Sequence, residues 1–239
     1  MENKAELYKK LSEVYRKLSL ESFSLSFGEA LLSYLKDNSI PVRKGIDLCC
    51  GTGDLCRYFS EHGIEMTGVD LSPEMIAIAK TAAPGCRFLC EDVSELPDGL
   101  QADFVTCMDD SINHITSKES LAAIFDSVWE LLPEGGIFAF DIVDPDALTV
   151  GETYSVAGMD GYTGEYTIRE DENTGMLNII LRVFENGKER LSVTSEERIY
   201  ERNEIWEMLM DSGFTMPVCT TEFYNEKTGL KYKIIAAKV

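Results

Sequence analysis

The strongest constraint on this chain of 239 residues is one short string, Gly45-Ile46-Asp47-Leu48-Cys49-Cys50-Gly51-Thr52-Gly53-Asp54-Leu55. An apolar run of strand length passes into a turn carrying two glycines, and the turn opens onto a stretch of helical character. Glycines at 51 and 53 leave out side chains where a ligand could approach the backbone, and the helix start beyond them offers amide donors. A Gly-x-Gly turn also serves as an ordinary tight connection, so the choice rests on the residues downstream. Asp70 closes the next apolar run, roughly 20 positions after Gly51, where a carboxylate can accept hydrogen bonds from both hydroxyls of a ribose. Read alone, Asp70 is a turn residue before Ser72-Pro73; read with the glycine turn, it points to an adenosine ligand.

The surrounding pattern repeats the unit. Apolar runs at 45–50, 64–69, 102–108 and 136–143, with a weaker one at 86–90, alternate with helical stretches at 54–62, 73–82 and 118–132. Ser72 can cap a helix whose first position is Pro73, and Pro133, Gly135 and Gly136 stop the helix carrying Leu121, Ile124, Phe125 and Val128. Upstream, Leu7, Leu11, Val14, Tyr15 and Leu18, then Phe27, Leu31, Tyr34 and Leu35, recur at helical spacing and predict two amphipathic helices with a break near 19–24. Downstream of Pro145, the turn sequences Asn173-Thr174-Gly175 and Asn186-Gly187 flank an alternating run of Leu177, Ile179, Leu181 and Val183, which predicts antiparallel strands. A helix at 203–212, closed by Gly213, and strand-like runs at 214–223 and 230–239 complete the chain. The expected fold is α/β and doubly wound, a Rossmann-like, seven-stranded, mostly parallel sheet in one domain over 1–239. A helical cover spans 1–40, a cofactor-binding core 45–143, an antiparallel β insertion after the fifth strand 150–200, and a last helix and two strands 203–239.

Charge narrows the partners. A formal net charge of −20 repels phosphate backbones and anionic lipid surfaces, so neither nucleic acid nor membrane is an expected partner. The first ten residues are mostly polar and no apolar stretch is long enough to cross a bilayer, which predicts a cytoplasmic protein. The seven cysteines form no Cys-x-x-Cys pair, and several lie in apolar runs, as expected of free thiols in a reducing compartment rather than of a metal site. Oligomeric state stays open, a homodimer included.

A dinucleotide fingerprint would continue Gly-x-Gly-x-x-Gly beside a pyrophosphate, but the third place holds Cys56, so a nicotinamide cofactor is disfavoured. The string Asp-Leu-Cys-Cys-Gly-Thr-Gly-Asp-Leu, the Gly-Val-Asp-Leu-Ser-Pro-Glu-Met of residues 68–75 and the Leu-Leu-Pro-Glu-Gly-Gly of 131–136 resemble successive motifs of the class I S-adenosylmethionine-dependent methyltransferases. The resemblance covers about residues 45–143. It implies S-adenosyl-L-methionine as cofactor and S-adenosyl-L-homocysteine as product, with Asp47 and the backbone of Cys50, Gly51, Thr52 and Gly53 along the methionine part. It implies Asp70 at the ribose and Leu71 and Met75 beside the adenine. Asp92 and the amide of Val93 would meet the adenine edge, although Asp92 also reads as a loop residue. Met108 would face the sulfur, or fill the core, and Tyr15 would lie over the cofactor, or in the core.

Amino-methyltransferases of nucleic acids in this superfamily commonly carry an Asn/Asp-Pro-Pro-Tyr/Phe motif after the fourth strand, where this chain reads Met108-Asp109-Asp110-Ser111-Ile112-Asn113-His114. A small-molecule acceptor is therefore expected, with protein acceptors and a non-catalytic cofactor-binding role as alternatives. Methyl transfer from a sulfonium is an in-line displacement that positioning can carry, and a hydroxyl acceptor gains from a nearby base. His114 is the candidate base, because it follows the fourth strand on the side where ligands gather; as a loop histidine it also reads as a structural group. Tyr154, Tyr162, Tyr166 and Tyr200 line an acceptor pocket on one reading and satisfy β-propensity on the other.

Overall fold

The computed structural model describes residues 4–144, 149–215, 218–219 and 231–238. Helix α1 (Lys4–Ser12), a 3-10 turn (Arg16–Leu18) and α2 (Ser22–Asp37) precede the first strand. Then come β1 (Lys44–Leu48), α3 (Asp54–Glu61), β2 (Glu65–Asp70), α4 (Pro73–Ala82), β3 (Arg87–Cys90), β4 (Phe104–Cys107), α5 (Lys118–Leu131) and β5 (Ile137–Val143). Strands β6 (Thr153–Ala157), β7 (Tyr162–Glu170), β8 (Leu177–Glu185) and β9 (Lys188–Glu197) follow, and then α6 (Arg202–Asp211), β10 (Val218–Cys219) and β11 (Lys231–Ala237).

Seven strands make one sheet in the order β10-β11-β5-β4-β1-β2-β3. Strands β1 to β5 pair in parallel, while β11 runs antiparallel against β5 and β10 antiparallel against β11. The chain steps outward from β1 to β3 and then returns to β4, so strand order reverses between β1 and β4 and opens a crevice at their carboxyl ends. Alternation along β1 serves both faces. Ile46 and Leu48 join the core beneath α5 and α6 with Phe125, Val128, Phe138, Phe140 and Leu209. On the other face Phe27 and Leu31 of α2 and Phe59 of α3 pack with Met66 and Phe104. There the rings of Phe59 and Phe104 meet edge to face at 5.0 Å, an arrangement that adds about 1 kcal/mol beyond area burial. β5 is buried along its whole length, which is why its apolar run is continuous rather than alternating.

The insertion is a separate antiparallel sheet in the order β6-β7-β8-β9. Asn186 and Gly187 both take positive φ, 51° and 77°, the conformation a two-residue hairpin between β8 and β9 requires. Leu181, Val183 and Val193 of this sheet form a third cluster with Leu7, Val14 and Leu18, so insertion and N-terminal cover share one small core. Main-chain contact reinforces it, because Met159 N–H donates to the Lys17 carbonyl at 2.7 Å. Among the described residues no helix is long and apolar enough to cross a membrane.

Three expectations need correction. The first helix does not run through Val14, Tyr15 and Leu18; it stops at Ser12, and a 3-10 turn ending on left-handed Ser19 (φ 54°) redirects the chain. The strand expected at 214–223 is present only as a bridge from Phe214 to Lys238 and the two-residue β10, with 216–217 and 220–223 outside the described residues. Tyr200 is a core residue: it is fully buried against α5 and α6, and its hydroxyl donates to the Ile115 carbonyl.

Candidate active site

The site is built on the turn between β1 and α3. Cys49, Gly51 and Gly53 take φ of 55°, 50° and 74°, a left-handed series that costs a non-glycine residue such as Cys49 about 1 kcal/mol. Local bonds hold it. Cys50 N–H donates to the Val69 carbonyl at 3.0 Å, Gly53 N–H to the Cys50 carbonyl at 2.9 Å, and Gly51 N–H to Asp70 Oδ2 at 2.8 Å. Asp70 Oδ1 accepts from Ser72 N–H at 2.9 Å, so one carboxylate at the end of β2 ties the glycine turn to the cap of α4. Each oxygen has two lone pairs, which leaves acceptor capacity after these bonds. Burial pushes the Asp70 carboxyl up from its ordinary pKa, and the two amides oppose the shift.

The two glycines differ in purpose. Among the described residues a Cβ on Gly51 would meet nothing within 4 Å, whereas one on Gly53 would lie 2.8 Å from the Ala79 Cβ and 3.0 Å from the Phe88 ring. Gly51 therefore leaves room for something outside the protein. The expectation that Gly53 leaves its side chain out for a ligand is corrected: it allows α4 and β3 to pack against the turn.

Asp47 lies beneath the turn, 3% exposed, accepting from Thr106 Oγ1 at 2.7 Å and from the Cys56 thiol at 3.8 Å. Burial raises its pKa to about 7, against the pull of those two donors. A cleft opens above, lined by Tyr15, Asp47, Cys50, Gly51, Thr52 and Met108, with Glu21, Ser24 and Asp109 also on its walls. The cover is fastened by charge. Arg16 Nη2 donates to both oxygens of Asp54 at 2.9 Å and to the Thr52 carbonyl at 3.2 Å. Tyr15 donates from its hydroxyl to Asp109 Oδ2 at 3.0 Å; burial, then Asp109, hold this phenol well above its ordinary pKa.

The loop after β4 forms the far wall. Asp109 and Asp110 take positive φ, and Asp110 N–H donates to buried Asp141 at 3.1 Å. Asn113, fully buried, donates from Nδ2 to the Arg198 carbonyl at 2.8 Å and accepts from Val143 N–H at 3.0 Å, which anchors the loop to β5 and to the end of β9. The next residue, His114, has Nε2 3.8 Å from Oε1 of buried Glu197 and its ring 6.1 Å from that of Tyr8. Tyr8 is held above its ordinary pKa by burial and then by the nearby charges of Cys49, Asp70, Glu197 and Asp110.

Of the residues singled out in the sequence, Tyr15, Asp47, Cys50, Gly51, Thr52 and Met108 meet in one cleft, and Asp70 is bonded to its floor. Leu71 is 40% exposed beside Asp70, and Met75 is buried in the first turn of α4. Asp92 stands past β3, exposed, its Oδ1 accepting from the Ser94 amide at 2.9 Å and hydroxyl at 2.7 Å, the loop geometry of its second reading. Val93 packs its side chain against the α5 core. Tyr154 and Tyr166 face each other across β6 and β7. Tyr8, Arg16, Glu21, Asn113 and Glu197 were missed. Tyr8, Arg16, Asn113 and Glu197 act on partners distant in sequence, and no local signal in the sequence marks any of the five.

Comparison with known proteins agrees with this geometry. The Methyltransferase domain family model matches residues 46–136. YqeM of Bacillus subtilis (strain 168), a protein named as a methyltransferase, is 31% identical over 201 residues, covering 77% of this chain and 79% of that one. Among solved structures, an S-adenosylmethionine-dependent methyltransferase from Clostridium acetobutylicum ATCC 824 superposes with a TM-score of 0.78 at 22% identity, over 97% of this chain and 98% of the other. KedS8, a sugar N-methyltransferase from Streptoalloteichus sp ATCC 53650, does so with a TM-score of 0.78 at 19% identity, over 100% and 95%. The chain belongs to the class I S-adenosylmethionine-dependent methyltransferases. It is an enzyme of α/β fold, and its cofactor is S-adenosylmethionine.

Proposed function

We propose that this methyltransferase acts on a small-molecule acceptor, with the cofactor's methionine end in the cleft over Gly51 and its ribose on Asp70. The observation that carries the reading is the open space at Gly51, in a turn whose other glycine is closed by packing. When bound, the cofactor supplies a methyl group activated on a sulfonium. Around it Asp70 accepts from the ribose hydroxyls with its remaining lone pairs, Leu71 and Met75 flank the adenine, and Asp92 with the Val93 amide meets the adenine edge. Cys50, Thr52 and Gly53 contribute backbone to the methionine part, Asp47 supports the turn from below, and Met108 faces the sulfur. Tyr15, locked to Asp109, keeps water from the reacting atoms.

On the acceptor side, His114 takes the proton that the acceptor releases, and the carboxylate of Glu197 stabilises the charged ring. The likeness to KedS8, a sugar N-methyltransferase, supports a polar acceptor, and an amine is the first to test. We also read residues 1–239 as one working domain, because cover and core line the cleft together, while the insertion packs on the cover and brings Glu197 of β9 to His114.

Calorimetry with S-adenosylhomocysteine tests the cofactor half. Asp70→Ala should weaken binding by about 1 to 3 kcal/mol, the scale of a lost hydrogen bond to a charged group; unchanged affinity would remove Asp70 from the ribose. A panel of amines and phenols tests the other half. His114→Ala should abolish most turnover while keeping S-adenosylhomocysteine affinity, and full retained turnover would leave His114 a bystander.

A further inference from the structure

The N-terminal cover brings an acid into the cofactor cleft that no motif of the core accounts for. Glu21 stands at the N-terminal boundary of α2 and lines the cleft with Asp47, Cys50, Gly51 and Thr52. Its Oε2 is fully buried and has no hydrogen-bond partner among the described residues. Native proteins seldom leave a buried carboxylate oxygen without a donor, so this one calls for an explanation. Burial raises the Glu21 carboxyl above its ordinary pKa, its own backbone amide pulls it down, nearby Asp54 raises it, and Arg16 and Arg57 lower it. Oε2 itself has no hydrogen-bond partner among the described residues, although two cations stand in its neighbourhood.

A second atom on the same cover is in a matching condition. Arg16 spends Nη2 on Asp54 and the Thr52 carbonyl, while its Nε is buried without a hydrogen-bond partner among the described residues. One unmet acceptor and one unmet donor, five residues apart and both beside the glycine turn, are the complement of a zwitterion. An aminoacyl group has that charge pattern: an ammonium with three donors and a carboxylate with acceptor lone pairs.

We propose that Glu21 is a cofactor-binding residue, its Oε2 accepting a hydrogen bond from the α-ammonium of the methionine end, with Arg16 Nε on the side of the α-carboxylate. This rests on the reading of the cleft given above and assigns recognition of the amino acid end to the cover rather than to the sheet. Nucleosides that lack this end lose the contact, so the cover sorts complete cofactor from its truncated relatives.

The test compares two probes by calorimetry, S-adenosylhomocysteine and 5′-methylthioadenosine, which keeps the nucleoside thioether and lacks the amino acid end. In Glu21→Gln, which keeps an acceptor oxygen but removes the charge, S-adenosylhomocysteine binding should weaken about tenfold, the step from a charge-assisted to a neutral hydrogen bond. Binding of 5′-methylthioadenosine should stay as in wild type. Glu21→Asp, one methylene shorter, should lose the same contact selectively, and it decides the matter if the Gln variant does not fold. Unchanged S-adenosylhomocysteine affinity overturns the assignment, as does an equal loss for both probes, which would mean general damage to the cleft. Wild-type protein binding neither probe would instead sink the underlying reading of the cleft, and the role of Glu21 with it.

Discussion

Asp47 is an ionisable group almost wholly buried beneath the cleft, and the consequence is a stability that depends on pH. Its folded pKa of about 7 lies above the usual carboxylate range, so the folded state holds this proton over a window in which the unfolded chain has released it. The stabilisation is fully present below about pH 4 and is lost as pH rises toward 7, at up to about 1.4 kcal/mol per pH unit. Asp47→Asn, which mimics the neutral acid, should match wild type in urea unfolding at pH 4 and exceed it above pH 7 by a few kcal/mol. Parallel pH profiles would show that Asp47 titrates normally. A second test concerns the turn above it. Gly51→Val puts a branched side chain at φ 50° into the cleft and should abolish S-adenosylhomocysteine binding while the protein stays folded. Gly51 and Asp70 were legible in the sequence because turn chemistry and the end of a strand are local signals. Arg16 and Glu197 were not, since each matters through a partner far along the chain, and no periodicity records such pairings; Glu21 sits at a helix boundary that reads like any other surface position.

At the scale of elements, most boundaries could be read in advance because each has a chemical marker. Ser72 caps α4 by accepting from the Met75 amide at 3.2 Å, with Pro73 at the first helical position, as its sequence implies. Strands β1, β2, β4 and β5 stand where continuous apolar runs predict them, the pattern of strands covered on both faces. The cover was harder. Val14, Tyr15 and Leu18 keep helical spacing, yet α1 stops at Ser12, because Tyr15 and Arg16 bind Asp109 and Asp54 in a geometry one straight helix does not provide. Leu18 fixes that geometry by packing on Leu181 and Val183 of the insertion. Leu18→Ala should therefore destabilise the protein by about 2 to 5 kcal/mol in urea unfolding. A loss below about 0.5 kcal/mol would show that cover and insertion hold each other weakly.

The whole molecule carries a net charge of −20 on a fold whose cleft sits at the reversal of strand order between β1 and β4. Self-repulsion lowers the stability of the free protein, and a bound cofactor offsets it by mass action. At about one hundred times its Kd, S-adenosylhomocysteine should add about 2.7 kcal/mol, or about 5 to 10 °C in Tm for a chain of this size. A scan with no shift at saturating ligand would contradict binding to the native state. The architecture was legible as a class, whereas the register of the insertion against the cover was not, since it depends on apolar contacts between segments more than 150 residues apart, such as Leu7 with Leu181.

The little core that joins α1, the 3-10 turn and strands β8 and β9 also sets a rule for dissecting the protein. The span matched by the family model, 46–136, includes neither half of that core. Cutting the chain there removes both halves together with β5, while trimming only one end strips the partner from Leu7, Val14 and Leu18 or from Leu181, Val183 and Val193 and turns it into an adhesive patch. Grafting or minimising this scaffold therefore calls for moving the two peripheral pieces as a set.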